Sequence, residues 1–174
     1  MTLSMYDASV PLFVRGLDVL DHLLDKAAAS GIDEATLFEA RLAPDMRPFP
    51  DQIRMAAFGP RGALGRLTGG DWPKTDDSET SIAELKATLA MTRDYVKSLP
   101  PAAFEGAAER VVEIRFPGVE LDFVGAGYLT SFALPNFYFH VTTAYAILRH
   151  LGVELGKRDY LGALALTRPP VISG

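Results

Sequence analysis

The residues best suited to chemistry lie together on one apolar segment near the C-terminus. His140 follows Asn136 by four residues, and Thr143 comes three further on. At about 100° per residue, Asn136 and His140 sit about 40° apart around a helix and share a face. Leu129, Phe132 and Ile147 complete that face. A polar group buried there without a partner costs about 1–3 kcal/mol, so each of the three must find one. Two arrangements satisfy this. The side chains bond internally, to a neighbour or to a carbonyl freed by a proline, or they line a pocket that takes a small molecule or an ion, as helical bundles often do. Asp45, Gln52 and Tyr6 are further candidates for the walls of such a pocket.

A metal reading begins with His140 and quickly runs short of ligands. Zinc commonly takes three or four N, S or O ligands, whereas this chain has three His and no Cys. His140 and His150 are ten residues apart, about 15 Å along a helix, and cannot share an ion. His22 falls on the polar face of its helix, and His150 with Arg149 suits a helix C-terminus, where cations are favoured. Asn136 is a poor zinc ligand. Asp45 and Gln52 would supply oxygens if the start of their helix approached His140. The acidic run Asp76-Asp77-Ser78-Glu79 matches the dipole preference of the helix it precedes.

Composition excludes several other classes. The absence of Cys removes disulfide frameworks, Cys-zinc sites, iron–sulfur clusters and thiol nucleophiles. A net charge of -5 without a basic stretch argues against nucleic acid as a partner. No nucleophile elbow, zinc-protease motif, P-loop or dinucleotide fingerprint is present. No apolar run approaches the roughly 18 residues that cross a bilayer, and the N-terminus lacks signal-peptide character. A cytoplasmic protein that does not enter membranes is therefore expected.

These side chains need a scaffold, and the spacing of apolar residues predicts one. Four long segments carry helical period: Ser4–Ser30 (with a start near Ser9 as the alternative, because of Pro11), Asp51–Thr68, Ser81–Leu99 and Tyr128–Leu151. A short helix from Asp33 to Arg41 lies between the first two. Gly59-Pro60 and Pro135 predict kinks in their helices. From Val111 to Phe123 the period changes to two around Pro117-Gly118, which reads as a β-hairpin that must lie on the helices. Gly125-Ala126-Gly127 reads as a hinge. A second stripe on the last helix, Leu134, Tyr138, Val141, Tyr145 and Leu148, predicts burial on more than one side, against the hairpin, the tail or a second subunit. The expectation is an all-α four-helix bundle over 1–162 with one hairpin between helices 3 and 4, followed by an extended tail over 163–174.

The block Ala133-Leu134-Pro135-Asn136-Phe137-Tyr138-Phe139-His140-Val141-Thr142-Thr143-Ala144-Tyr145-Ala146-Ile147-Leu148-Arg149-His150, continued by Gly152 to Gly162, resembles the C-terminal block of a bacterial family of domains of unknown function. Ser4-Met5-Tyr6, Ser9-Val10-Pro11 and Ala40-Arg41-Leu42-Ala43-Pro44-Asp45-Met46 resemble its other blocks, so the resemblance spans residues 3 to 162. That family is similar to the DinB/YfiT-like bundle superfamily. The resemblance implies helices in up-down-down-up order, a long crossover between the second and third, and frequently a homodimer. It also implies a metal site of three His, one at the start of the second helix and an H-x-x-x-H pair on the fourth. His140 matches the later member of that pair. Asn136 stands where the earlier should be, and Asp51-Gln52-Ile53-Arg54-Met55 offers no His. Three functions remain open: a small-molecule pocket around Asn136, His140 and Thr143; a metal-dependent hydrolase or thiol transferase with zinc or nickel at His140; and a non-catalytic homodimer assembled on the second stripe.

Overall fold

A computed structural model describes residues 3–164, and nearly all of the expected tail lies outside the described residues. Helix α1 (Val10–Ala29) begins with Pro11 in its first turn, where the missing N–H would have no partner anyway. Residues ahead of it form a turn instead of extending the helix. There the Asp7 N–H donates to Ser4 Oγ at 3.1 Å and the Ser9 hydroxyl donates to Met5 O at 2.6 Å. A short α2 (Glu34–Glu39) leads to α3 (Phe49–Thr68), which runs unbroken through Pro60. Helix α4 (Ile82–Ser98) starts at Ser81, whose Oγ accepts the Glu84 N–H at 3.2 Å.

The long helices form a ring in the order α1, α4, α3, α6. Ion pairs read out their directions. Asp18 with Arg93 (2.8 Å) and Asp21 with Lys86 (3.1 Å) make α4 antiparallel to α1. Arg54 with Glu79 (3.0 Å) brings the start of α4 to the first turns of α3, so those two helices run parallel. The segment joining them must therefore travel back along α3. Arg61, only 1% exposed, fastens it by donating to Pro73 O (3.2 Å) and Thr75 Oγ1 (3.0 Å). The order is up-down-down-up, with the long crossover in the second connection.

Strands β1 (Val111–Phe116) and β2 (Val119–Val124) form the antiparallel hairpin, with Ile114 opposite Leu121 and Phe116 opposite Val119. Gly118, at φ 79°, closes the Pro117-Gly118 turn. Val112 and Ile114 are buried, and Phe116 extends the same face to the hairpin tip.

The last long helix is assembled in three parts. A first turn, α5 (Gly125–Tyr128), passes into a π turn over Leu129–Ala133 and then into α6 (Leu134–His150). The expected proline kink thus takes the form of a π turn. Pro135 has no N–H to give the preceding turn, and the wider turn accommodates the loss. Thr130 and Ser131 hydroxyls donate to Ala126 O (2.8 Å) and Gly127 O (2.5 Å), satisfying carbonyls of the α5 turn. Gly125 allows close packing, since a Cβ there would lie 1.8 Å from Ala107 O.

Phe137 fixes the rotation of α6. Its ring enters the space left by Gly16 of α1, meets Phe13 edge-on at 5.2 Å between centroids, and abuts Gly59 of α3. The second stripe is covered within the chain. Tyr138 Oη donates to Leu12 O at 3.2 Å, and Tyr145 meets Tyr160 of α7 (Lys157–Leu161) at 5.7 Å between ring centroids. Tyr138 and Tyr145 thus dock α1 and α7 onto α6 while remaining half-buried.

Candidate functional site

With Phe137 directed into the core, Asn136 and His140 lie about 100° and about 60° to the same side of it. They line a cavity of about 370 Å³ between α3, the hairpin and the α5–α6 helix. Met55, Phe58 and Gly59 contribute from α3, Ile114 and Phe116 from the hairpin, and Tyr128, Phe132 and Ala133 from the last helix. Arg66 and Asp77 supply the charged groups on its wall. Phe116, at the hairpin tip, is 51% exposed although it lines the cavity.

Behind the cavity, His140 is held by Gln52. The His140 Nδ1 to Gln52 Oε1 distance is 2.8 Å, and Gln52 Nε2 donates to Arg47 O at 2.9 Å. The second bond decides the first. The amide nitrogen must face the Arg47 carbonyl, so the amide oxygen faces the imidazole and accepts the proton of Nδ1. Burial, and then the charge of Arg47, push the His140 pKa below its ordinary value. The ring is neutral at pH 7, with its proton on Nδ1 and its Nε2 lone pair without a partner among the described residues. Such a nitrogen accepts a hydrogen bond or a proton. The Asn136 carboxamide, one turn before, also has no partner among the described residues and can both donate and accept.

The other sequence candidates lie elsewhere. Thr143 is buried, and its hydroxyl donates to Phe139 O of its own helix at 2.7 Å. Asp45 is exposed in the turn between α2 and α3. Tyr6 stands edge-on to Phe104 at 5.6 Å, away from the cavity. Gln52 approaches His140 as the sequence reading allowed, but it forms the back of the site, 2% exposed. Sequence reasoning missed Arg66 and Tyr128. The inward alternation of Val112, Ile114 and Phe116 was the available signal that the hairpin covers something.

The donor set does not fit a structural or catalytic transition metal. His140 commits Nδ1 to Gln52, its neighbours are carboxamides, and among the described residues no three His, Cys, Asp or Glu side chains come together.

A family model described as Domain of unknown function (DUF1993) matches residues 5–161. The chain belongs to this family. Among solved structures it is similar to the crystal structure of a DinB family member protein from Shewanella denitrificans, at 39% identity and a TM-score of 0.85 over 95% of this chain and 96% of that one. No curated protein matches the chain. This DUF1993 protein is thus a DinB-like helical bundle, and among its described residues no helix is long and apolar enough to cross a membrane.

Proposed function

We propose that this DUF1993 protein binds a small, largely apolar molecule in the cavity between α3, the hairpin and α6, without a metal. The observation that carries the reading is the Gln52–His140 bond, which fixes the tautomer of a neutral imidazole on the wall of a largely apolar cavity and leaves Nε2 without a partner among the described residues. A volume of about 370 Å³ falls within the usual range for ligand pockets, and mostly apolar walls with few convergent polar groups are their usual form. The ligand donates an O–H or N–H to His140 Nε2, and Asn136 hydrogen-bonds the same polar group.

Titration of the protein with 4-propylphenol, followed by ligand-observed NMR, tests this. Binding should weaken about tenfold in His140→Ala, the loss expected for one hydrogen bond in a closed site. Binding indifferent to His140, or about one metal ion per chain that disappears in His140→Ala by elemental analysis, would refute the metal-free pocket. Cytoplasmic residence and a homodimer belong to the same proposal. Exposed Phe139, beside His140 on α6, supports a dimer face away from the Tyr138–Tyr145 stripe. A monomeric sedimentation profile would remove the dimer and leave the pocket intact.

A further inference from the structure

The cavity has two ends of different character. Helix α3 runs antiparallel to α6, so Gln52 meets His140 at one end while Arg66 and Tyr128 lie at the other. Arg66 is half-buried and leans back along its own helix, with Nη1 donating to Gly62 O at 2.8 Å. Gly62 provides the berth, because a Cβ at that position would come within 2.7 Å of Nη1. The guanidinium also lies 5.1 Å from the centre of the Trp72 ring. Among the described residues Arg66 has no carboxylate within salt-bridge reach.

Tyr128 adds a second donor. It is 2% exposed, and its hydroxyl lies beside the Arg66 guanidinium. Burial holds its pKa above the ordinary phenol value, so it keeps its proton. The one acid on the cavity wall, Asp77, is exposed to water, accepts the Thr75 hydroxyl at 2.8 Å and faces the charge of buried Arg61. Its charge is thus answered, whereas that of Arg66 is not.

Building on the pocket reading, we propose that the Arg66–Tyr128 end binds a carboxylate, so that the ligand is an apolar monocarboxylic acid with a hydrogen-bond donor at its far end. The guanidinium over Gly62 stands ten residues from Gln52, about 15 Å along α3. Two ends that far apart along the helix, in a cavity of about 370 Å³, suit an elongated guest such as a hydroxyphenylpropanoid acid. Arginine presents several donors in a planar fork that matches a carboxylate. Phe58, Ile114, Phe116 and Phe132 surround the body of such a molecule.

Calorimetric titration with 3-(4-hydroxyphenyl)propionate, the matching propanol and the amine tyramine tests the assignment. The acid should bind the wild type at least about tenfold more tightly than the alcohol. Arg66→Gln should reduce acid binding to the level of the alcohol while leaving the alcohol unchanged, which also shows that the variant is folded. Gly62→Ala, which displaces the guanidinium but keeps its charge, should weaken the acid as well. Equal binding of acid and alcohol, with both dependent on His140, would overturn the carboxylate end and spare the pocket. Preference for tyramine would assign the dominant charge to Asp77 and also overturn it. If none of the three binds, both readings fail.

Discussion

Replacement of Gln52 by Leu is the most direct perturbation of the Gln52–His140 arrangement. Leucine approximates the volume of the side chain but can neither accept the Nδ1 proton nor donate to the Arg47 carbonyl. Gln52 is 2% exposed, so water cannot simply take its place. The lost hydrogen bond is worth about 1 kcal/mol net, and a donor left unsatisfied away from water raises the cost to about 1–3 kcal/mol. The Arg47 carbonyl loses its bond to the Gln52 amide as well, within the same range. The added apolar burial of leucine offsets part of the loss, leaving about 1–2 kcal/mol, or a fall of about 2–8 °C in Tm for a chain of this size. Urea denaturation at pH 7.5 measures it, within a double-mutant cycle. In a His140→Leu background no donor is orphaned, and Gln52→Leu should cost much less. Long-range proton–nitrogen NMR should show the Nδ1-protonated tautomer in the wild type and lose that preference in Gln52→Leu. Equal costs in the two backgrounds, with a coupling energy below about 0.5 kcal/mol, would refute the bond and the tautomer derived from it.

Two further outcomes follow from the same structure. Because folding lowers the His140 pKa, the unfolded chain binds this proton more readily than the native one, and His140 costs stability as pH falls below its ordinary value of about 6.5. Unfolding free energy should thus drop more steeply on acidification in the wild type than in His140→Gln; parallel pH profiles would contradict the lowered pKa. At the start of the last helix, Gly125→Ala should destabilise by about 3 kcal/mol or more, since the new Cβ would meet Ala107 O at 1.8 Å. Gly127→Ala, with nothing within 4 Å of its Cβ, should be neutral or stabilising by up to about 1 kcal/mol in the same urea assay.

Much of the fold was legible because helix and strand periods are local signals. The stripes of α1, α3, α4 and α6 and the alternation across Pro117-Gly118 fell where the elements stand. Pro135 marked a disturbance, but its N–H is missing toward the carbonyls near Ser131, and whether the helix answers with a kink or a π turn is set by the packing of the whole segment, where Thr130 and Ser131 hydroxyls bond back to Ala126 O and Gly127 O. Thr143 misled because helical phase shows which face a residue occupies, not whether its hydroxyl turns back to the carbonyl four residues earlier. The second stripe of the last helix was legible as a face buried on a further side, but not what covers it. Tyr138 and Tyr145 are satisfied by Leu12 and Tyr160, contacts that depend on tertiary docking of α1 and α7. The approach of Arg66 to Tyr128 is equally non-local and required the antiparallel register of α3 and α6.

The charges around the cavity favour a neutral or anionic guest over a cation, independently of ligand count. Asp51, a carboxylate at the start of α3, is divided between Arg54 at 2.6 Å and Arg47 at 3.4 Å. Glu79 is engaged by Arg54 and the Thr88 hydroxyl, and its pKa lies below the ordinary carboxylate value because those bonds outweigh its burial. Asp77 faces buried Arg61. What remains near the cavity is positive: Arg47, whose charge already disfavours a proton on His140, and Arg66 at the far end. A divalent ion at His140 would meet the same repulsion as that proton, doubled in charge, with carboxamides in place of carboxylates to hold it. Converting the site to a metal centre would require a His or an acid at both Gln52 and Asn136. With the glutamine in place, the geometry instead turns the imidazole into a fixed, neutral hydrogen-bond acceptor.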